Sequence, residues 1–553
     1  MKGSDALLKM LGDRGVTTVF GYPGATVIPI YDSFIDSDIR HVLVRHEQCA
    51  AHMADGYARA TGNPGVCLAT SGPGTTNLVT GIATAYADSV PMIALTGQVG
   101  TSFLGAEAFQ EVDSYSLMMP VTKHNFRVLD PERLPHAIDE GWKICQSGRP
   151  GPVHIDMPTD QLSADIPDEY LTKDYGVKLP VSDLSGIPAA ADMIKKSQKP
   201  ILLVGGGAMG ASAEVLRLAE FCNIPVITTL MSLGVIPSSH PLCLGPLGMH
   251  GRMCSYDAMK DSDLIIAIGT KFSDRTYNPH TKPGEKCKVV HIDADPTQFG
   301  KSDRDGVNIL ADAKVGTKAL LDALKGYTNM HSEWDDKVAG LRKRCDCGFN
   351  FEGHPILPQT VMKEINKLLD GDVIVTTDVG QNQMWSMHCL DIRRPRQFIT
   401  SGSFGTMGFG LPAAMGAKIA KPDSKVMTIV GDGGLQMVIQ ELATSIAEDI
   451  PVTIVLLNNG WLGMVRQWQK LFWDKRYSGV NLNPDPDFVK VAESFGCEGI
   501  RVEKSGEIAD ALKQAMNCDR TCLVDIHTDP EEDICPMILQ NPSVPIVKGR
   551  CPY

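Results

Sequence analysis

Residues 431–461 read GDGGLQMVIQELATSIAEDIPVTIVLLNNGW. KVMTIV, just before them, is a continuous apolar run of strand length, and PVTIVLL is a second; LQMVIQELATSIAED between them has helical spacing. This is a strand–helix–strand unit. Its two strands run parallel and end on the same sheet edge, because such crossovers are right-handed. Gly431-Asp432-Gly433 and Asn458-Asn459 therefore meet in space. The glycines let a ligand approach the backbone, and the following helix N-terminus favours an anion. A carboxylate, an amide oxygen and a loop carbonyl are hard ligands suited to Mg²⁺, which keeps phosphate oxygens in its remaining positions. A tight turn with an asparagine loop cap is the competing reading, and the spacing within one unit weighs against it.

The same grammar extends along the chain. VTTVFGYPG, GVCLATSGPG, PMIALTG and PVHIDMP fall in a first block, residues 1–165. PILLVGGGAMG, PVITTLMSLG, DLIIAIG and KVVHIDADP fall in a second, 186–330, and DVIVTTDVG, KVMTIVGDGG, PVTIVLLNN and TCLVDIHTD in a third, 357–535. Each apolar run opens into a Gly- or Pro-containing turn and is followed by a helical pattern, which predicts an α/β protein of three doubly wound parallel-sheet domains. The stretch SADIPDEYLTKDYGVKLPVSD reads as a linker, and a polar segment over 327–356 separates the second and third blocks. No sequence repeat is visible, yet the first and third blocks share strand ends that open into Gly-containing turns. Ligands of open parallel sheets bind at those ends.

Composition excludes several function classes. At 553 residues the chain exceeds one ordinary domain, and its 43% hydrophobic content builds large cores. A net charge of −13 argues against a nucleic-acid partner. No run reaches the ~18 apolar residues of a membrane span. Met1 leads directly into an amphipathic helical pattern, DALLKMLGDRG, which reads as a domain start in a cytoplasmic protein. The 15 cysteines lack metal-type pairing, with Cys345 and Cys347 too close for a zinc knuckle, and read as free buried thiols in a reducing compartment.

The GDG…NN pairing resembles the motif of thiamin diphosphate-dependent enzymes. That resemblance implies Mg²⁺ held by Asp432, Asn459 and the main-chain carbonyl of Trp461, with Gly433 beside the diphosphate. It also implies a glutamate in an apolar pocket that shares a proton with the cofactor's aminopyrimidine. In RHEQCAAHMADGYARATG, Glu47 opens an Ala-rich helix; alone it would pass for a solvated first-turn acid. With ADGYARATG and TSGPGTTN following, it matches the family's acid.

The ordered motifs FGYPG, RHEQ, TSGPGTTNLVTG, TGQV, AFQE, SGRPGPV, LGMHG, VGQNQMW, GTMGFGLPAA and LGMVRQWQ narrow the resemblance to the catalytic subunits of the acetolactate synthase (acetohydroxyacid synthase) family, over roughly residues 1–530. The three domains are then expected to bind pyrimidine, FAD and diphosphate in that order. The resemblance implies that Met407 bends the cofactor and that Gly74 and Asn77 lie near its pyrimidine. Val379, Gly380 and Gln381 lie near the diphosphate, Gly405, Gly463 and Met464 complete that wall, and Phe109 and Gln110 face the reacting carbons. Trp468 matches the aromatic residue tied to a preference for 2-oxobutyrate.

PILLVGGGAMG alone is an ambiguous Gly-rich turn. With TTLMSLG, LGMHG, GTKFSDRT and HIDADP in order it resembles the family's structural FAD site. The implied contacts are Arg149, Gly205, Gly206, Gly207, Thr229, Leu230, Met231, His250, Gly251, Arg275, Asp293 and Asp312.

The implied activity is decarboxylation of pyruvate and transfer of its two-carbon unit to a second 2-oxo acid, giving 2-acetolactate or 2-aceto-2-hydroxybutyrate for branched-chain amino acid synthesis. The implied assembly is a homodimer or homotetramer whose sites lie between subunits, with a regulatory small subunit as a further partner. Ala25, Thr159, Lys271, Ser273 and Asn382 depart from the family pattern, which leaves acceptor choice and flavin retention open. A carboligase or decarboxylase for another 2-oxo acid, a pyruvate-oxidase-like flavoenzyme, a flavin-free fermentative acetolactate synthase and a non-catalytic paralogue are the alternatives.

Overall fold

In the computed structural model, every residue is described other than 174, 177, 346–353, 370, 540, 542 and 548–553. Cys347 and Cys551 lie outside the described residues. The first sheet contains β1 (Thr18–Gly21), β2 (Arg40–Leu43), β3 (Gly65–Ala69), β4 (Met92–Gln98), β5 (His124–Arg127) and β6 (Pro152–Pro158), in the order β2-β1-β3-β4-β6-β5. The second contains β7 (Pro200–Val204), β8 (Val226–Thr228), β9 (Cys243–Pro246), β10 (Leu264–Ile268), β11 (Lys288–Asp293) and β12 (Gly306–Leu310), in the order β12-β11-β10-β7-β8-β9. The third contains β13 (Ile374–Thr377), β14 (Phe398–Ile399), β15 (Val426–Gly431), β16 (Thr453–Asn458), β17 (Glu498–Val502) and β18 (Cys522–His527), in the order β14-β13-β15-β16-β18-β17. All paired strands within these sheets are parallel.

The first and third sheets thus repeat one strand order, a likeness deeper than their shared turn grammar. The second follows the 3-2-1-4-5-6 order of dinucleotide-binding sheets. Where the strand order reverses, crevices open at the carboxyl ends: between β1 and β3, between β7 and β10, and between β13 and β15.

The helices that matter most here are α1 (Glu47–Thr61), α2 (Pro73–Asp88), α3 (Gln381–Cys389), α4 (Gly410–Ala420), α5 (Asp432–Gln436), α6 (Glu441–Ala447) and α7 (Gly463–Phe472). The opening stretch predicts one helix over 435–449, and the structure breaks it into α5 and α6. Met437, Val438 and Glu441 donate to carbonyls three residues back, at 3.2, 3.1 and 3.0 Å. The break turns β-branched Val438 into the core beside Gly408.

Small residues join the first and third blocks. A Cβ on Gly56 of α1 would stand 2.6 Å from the Ala413 Cα of α4, so the two helices cross nearly backbone to backbone. One apolar core, including Phe20, Met53, Leu78, Phe409 and Leu435, runs through both blocks. Arg59 clamps the seam, bonding Asp88 at 3.0 Å and the Thr400 carbonyl at 3.0 Å, while Asp88 accepts from Gly402 and Ser403 at 2.8 and 2.7 Å.

Candidate active site

Asp432 begins α5 immediately after β15 and is buried. One carboxylate oxygen accepts from the Gly433 N–H at 2.8 Å; the other accepts from Asn459 at 3.2 Å and Gly460 at 2.7 Å. The carboxylate therefore spans from the end of β15 to the turn after β16. Burial pushes its pKa up to about 6, with the nearby Asp485 charge adding to the rise and the three amides opposing it. The Asn459 side-chain oxygen accepts from the Trp461 N–H at 3.0 Å, which fixes the amide and the Trp461 backbone in one tight turn. Arg466 stacks its guanidinium 4.7 Å from the Trp461 ring centroid.

The surroundings suit an oxygen-rich ligand on a divalent cation. A Cβ on Gly433 would stand 2.6 Å from a Leu462 methyl and 3.5 Å from the Met407 methyl, so the turn is lined closely by these side chains. Asn382, at the start of α3, is buried with a side-chain oxygen that has no partner, and its amide faces Gly380 and Gly431. A buried amide left unpaired beside two strand-end glycines suits a polar ligand. The donor set of carboxylate, amide oxygen and carbonyl suits Mg²⁺; among the described residues, no cluster of three or more His, Cys, Asp or Glu offers another metal centre.

Around this turn, Gln381 donates to the Gln467 side chain at 2.9 Å and to the Glu532 carbonyl at 3.2 Å. Gly463 opens α7 against the Gln381 amide. Val379, Gly380, Gly405, Met464 and Trp468 face a cavity of about 850 Å³ that reaches the middle block. Asp378 is buried and accepts from Val379, Gly408 and Gly410 at 2.8, 3.0 and 3.0 Å, which shapes the loop carrying Met407. Its role is absent from the sequence reading, because TTDVG shows an acid at a strand end without showing which amides it meets.

Glu47 is the first residue of α1, half-buried, and accepts from the Asn77 side chain at 2.9 Å. A Cβ on Gly74 would lie 3.5 Å from its other oxygen, so Gly74 and Asn77 of α2 both border the acid. Gln110 holds a left-handed backbone with φ +60° and packs against Gly72, while Phe109 is 88% exposed.

The third block also steadies Glu47 from behind. Buried Glu441 of α6 accepts from the Arg45 N–H at 3.0 Å, and Glu448 accepts from the Leu43 N–H at 3.1 Å. Sequence reading missed both acids, since helix-spaced glutamates look like solvated surface charges. Glu47 and Asp432 themselves share no hydrogen bond or ion pair among the described residues of one chain.

All twelve flavin candidates line the 850 Å³ cavity: Arg149, Gly205, Gly206, Gly207, Thr229, Leu230, Met231, His250, Gly251, Arg275, Asp293 and Asp312. It sits at the reversal between β7 and β10. A Cβ on Gly205 would stand 2.6 Å from the Thr270 Cα, so close packing of the two strand ends already demands that glycine. Asp312 spends its carboxylate capping the helix Ala313–Ala323, at 2.9 and 3.3 Å from the Lys314 and Val315 amides. His250 is buried and its ring contacts the Pro536 carbonyl at 3.2 Å, with burial pushing its pKa down to about 4. Lys271 bonds the Ala87 carbonyl, and burial followed by the Arg149 charge pushes its pKa down to about 8.

Comparison with known proteins agrees with this architecture. Three family descriptions match in order: the N-terminal TPP binding domain of thiamine pyrophosphate enzymes over residues 1–117, their central domain over 187–324, and their C-terminal TPP binding domain over 378–526. Among similar proteins, the probable acetolactate synthase large subunit of Methanocaldococcus jannaschii is 47% identical, covering 97% of this chain and 93% of that protein.

The chain belongs to the acetolactate synthase large-subunit family of thiamine pyrophosphate enzymes.

The acetolactate synthase large subunit of Corynebacterium glutamicum is 44% identical over 97% of this chain and 88% of its own length. Isozyme 2 of Escherichia coli is 42% identical, over 97% of both chains. No helix among the described residues is long and apolar enough to cross a membrane.

Proposed function

We propose that this chain is an acetolactate synthase catalytic subunit, decarboxylating pyruvate and joining its two-carbon unit to a second 2-oxo acid. The observation that carries the reading is the Asp432 carboxylate, which binds the amides of Asn459 and Gly460 and so assembles both halves of the motif into one oxygen-lined turn. Thiamin diphosphate, when bound, supplies a nucleophilic carbon and an electron sink for loss of CO₂.

Asp432, the Asn459 amide oxygen and the Trp461 carbonyl would hold Mg²⁺. Gly433, Val379, Gly380, Gln381, Gly405, Gly463 and Met464 bring backbone and amide groups to the diphosphate. Glu47 holds a proton at a pyrimidine ring nitrogen, and Asn77 keeps one carboxyl oxygen oriented for that exchange. Met407, whose methyl lies beside Gly433, would pack against the cofactor. Phe109 and Gln110 exclude water above the reacting carbon, and Trp468 shapes the acceptor pocket. Arg149, Gly205, Thr229 and Arg275, which line the cavity at the β7–β10 reversal, would help hold FAD.

Glu47 and Asp432 share no hydrogen bond or ion pair among the described residues of one chain, and Phe109, Phe404, Met437 and Trp473 are exposed apolar side chains. This supports a C₂ dimer in which the first block of one subunit closes over the third block of its partner. A regulatory small subunit is the further partner this family position suggests.

The test is product analysis with pyruvate alone, then with 2-oxobutyrate added, with and without thiamin diphosphate and Mg²⁺. Cofactor-dependent 2-acetolactate is expected. Acetaldehyde or acetate as the main product, or bleaching of bound flavin by anaerobic pyruvate, overturns the reading in favour of a decarboxylase or an oxidase.

A further inference from the structure

The segment 99–113 follows β4 and carries both Phe109 and Gln110. Its ends are pinned to the first sheet. Gln98, the last residue of β4, donates to the Val112 carbonyl at 2.8 Å, and Asp160, just after β6, accepts from the Thr101 N–H at 3.0 Å. Between those anchors the backbone is strained: Glu107 and Gln110, neither of them glycine, hold φ +55° and φ +60°. Such left-handed residues persist where their surroundings over-determine them. Glu111, the last residue of AFQE, does so from within the loop. One of its carboxylate oxygens accepts from the Gly105 N–H, and the other accepts from the Ala108 N–H at 3.0 Å. Backbone amides that converge in a turn cradle an anion, and here the loop supplies its own. The Gly105 and Ala108 amides hold the Glu111 carboxyl below the usual range, so both oxygens stay acceptors. Next to it, the Gln110 backbone lies against Gly72, the residue before α2, where a Cβ would stand 2.8 Å from the Gln110 carbonyl oxygen. α2 is the helix whose Asn77 bonds Glu47. The Glu111 carboxylate thus sets where Gln110 stands relative to that acid.

We propose that Glu111 is a positioning residue of the reaction: it holds Phe109 and Gln110 in place over the reacting carbon without touching substrate itself. The inference rests on the proposed role of those two side chains in excluding water there. Phe109 is 88% exposed within one chain, so its own packing does not fix it, and the turn over 105–111 does. Once CO₂ has left, the carbon that held it has two fates. It forms a carbon–carbon bond with the keto carbon of the second 2-oxo acid, whose oxygen takes up a proton. Otherwise it takes a proton from water, and the two-carbon unit leaves as acetaldehyde. A loop held in place favours the first fate, and a slack loop admits water for the second.

The test compares the full-length wild type with Glu111→Ala and Glu111→Gln. In the cofactor-free protein, hydrogen exchange of peptides covering 103–111 should speed up in Glu111→Ala, while the melting temperature and the exchange of β3 and β4 stay near wild type. Each amide has its own carboxylate oxygen, so Glu111→Gln keeps one acceptor and should fall between the two. With thiamin diphosphate, Mg²⁺ and saturating pyruvate, Glu111→Ala should raise the ratio of acetaldehyde to 2-acetolactate by at least about tenfold. Glu111→Gln should give an intermediate ratio. Faster exchange with an unchanged product ratio overturns the proposal. So does unchanged exchange over 103–111, or a loss of protection that spreads through the first sheet with a lower melting temperature. Should the wild type yield no 2-acetolactate, the functional reading fails, and the exchange measurement still decides whether Glu111 holds the loop.

Discussion

At the scale of single residues, Glu47 and Trp468 make the sharpest claims. Glu47→Gln keeps the shape and the Asn77 contact while removing the exchangeable acid. Turnover should fall by at least about 100-fold, the low end for a general acid–base group. Thermal stability and thiamin diphosphate binding should stay near wild type; steady-state assay and calorimetry check the two halves separately. Trp468 sits half-buried on the cavity wall, 5.5 Å from the Phe472 ring centroid, and outside the core that its helical spacing would suggest. Trp468→Leu should lower the ratio of 2-aceto-2-hydroxybutyrate to 2-acetolactate when both acceptors compete. An unchanged ratio removes Trp468 from acceptor selection.

At the scale of elements, α6 holds the residues that lead into α1. Glu441 is buried and bonded to the Arg45 N–H and to the Thr444 hydroxyl at 2.7 Å. Glu441→Ala leaves that amide without its partner, at a cost of about 1–3 kcal/mol. It should lower kcat with little change in KM, because Glu47 loses its backing while the substrate pocket stays whole. Glu441→Gln, which keeps an acceptor oxygen, should recover most of the loss.

This element also shows what the sequence makes legible. The pairing of Asp432 with Asn459 is readable because a strand–helix–strand unit forces its two strand ends together. Glu47 is readable only through its neighbours RHEQ and ADGYARATG, since an acid at a helix start is common. Glu441, Asp378 and the break at Met437–Gln440 were hidden, because each depends on what packs against it from a distant part of the chain. The strand orders were hidden for the same reason; strands announce themselves by apolar runs, whereas their neighbours are chosen by tertiary contact.

At the scale of the whole molecule, buried histidines set an acid limit. Burial pushes His52, His154 and His388 down to about 3 from an ordinary 6.5. The unfolded chain therefore binds protons that the folded chain refuses once the pH falls below 6.5. Stability is full above that value and declines from 6.5 toward 3, each ring costing about 1.4 kcal/mol per pH unit through that window. The melting temperature should drop steadily between roughly pH 6.5 and 5. Replacing His154 by Gln, which can still bond the Thr96 hydroxyl that the ring meets at 2.7 Å, should flatten the decline.

The separation of Glu47 from Asp432 along one chain carries a genetic consequence. Two inactive alleles, one Glu47→Gln and the other Asp432→Ala, should rescue each other when expressed together. In the proposed dimer with pockets between subunits, random pairing makes half the dimers mixed, and each mixed dimer pools both lesions in one pocket and leaves the other pocket whole. Co-purified extract should recover roughly a quarter of normal activity, whereas either allele alone gives none.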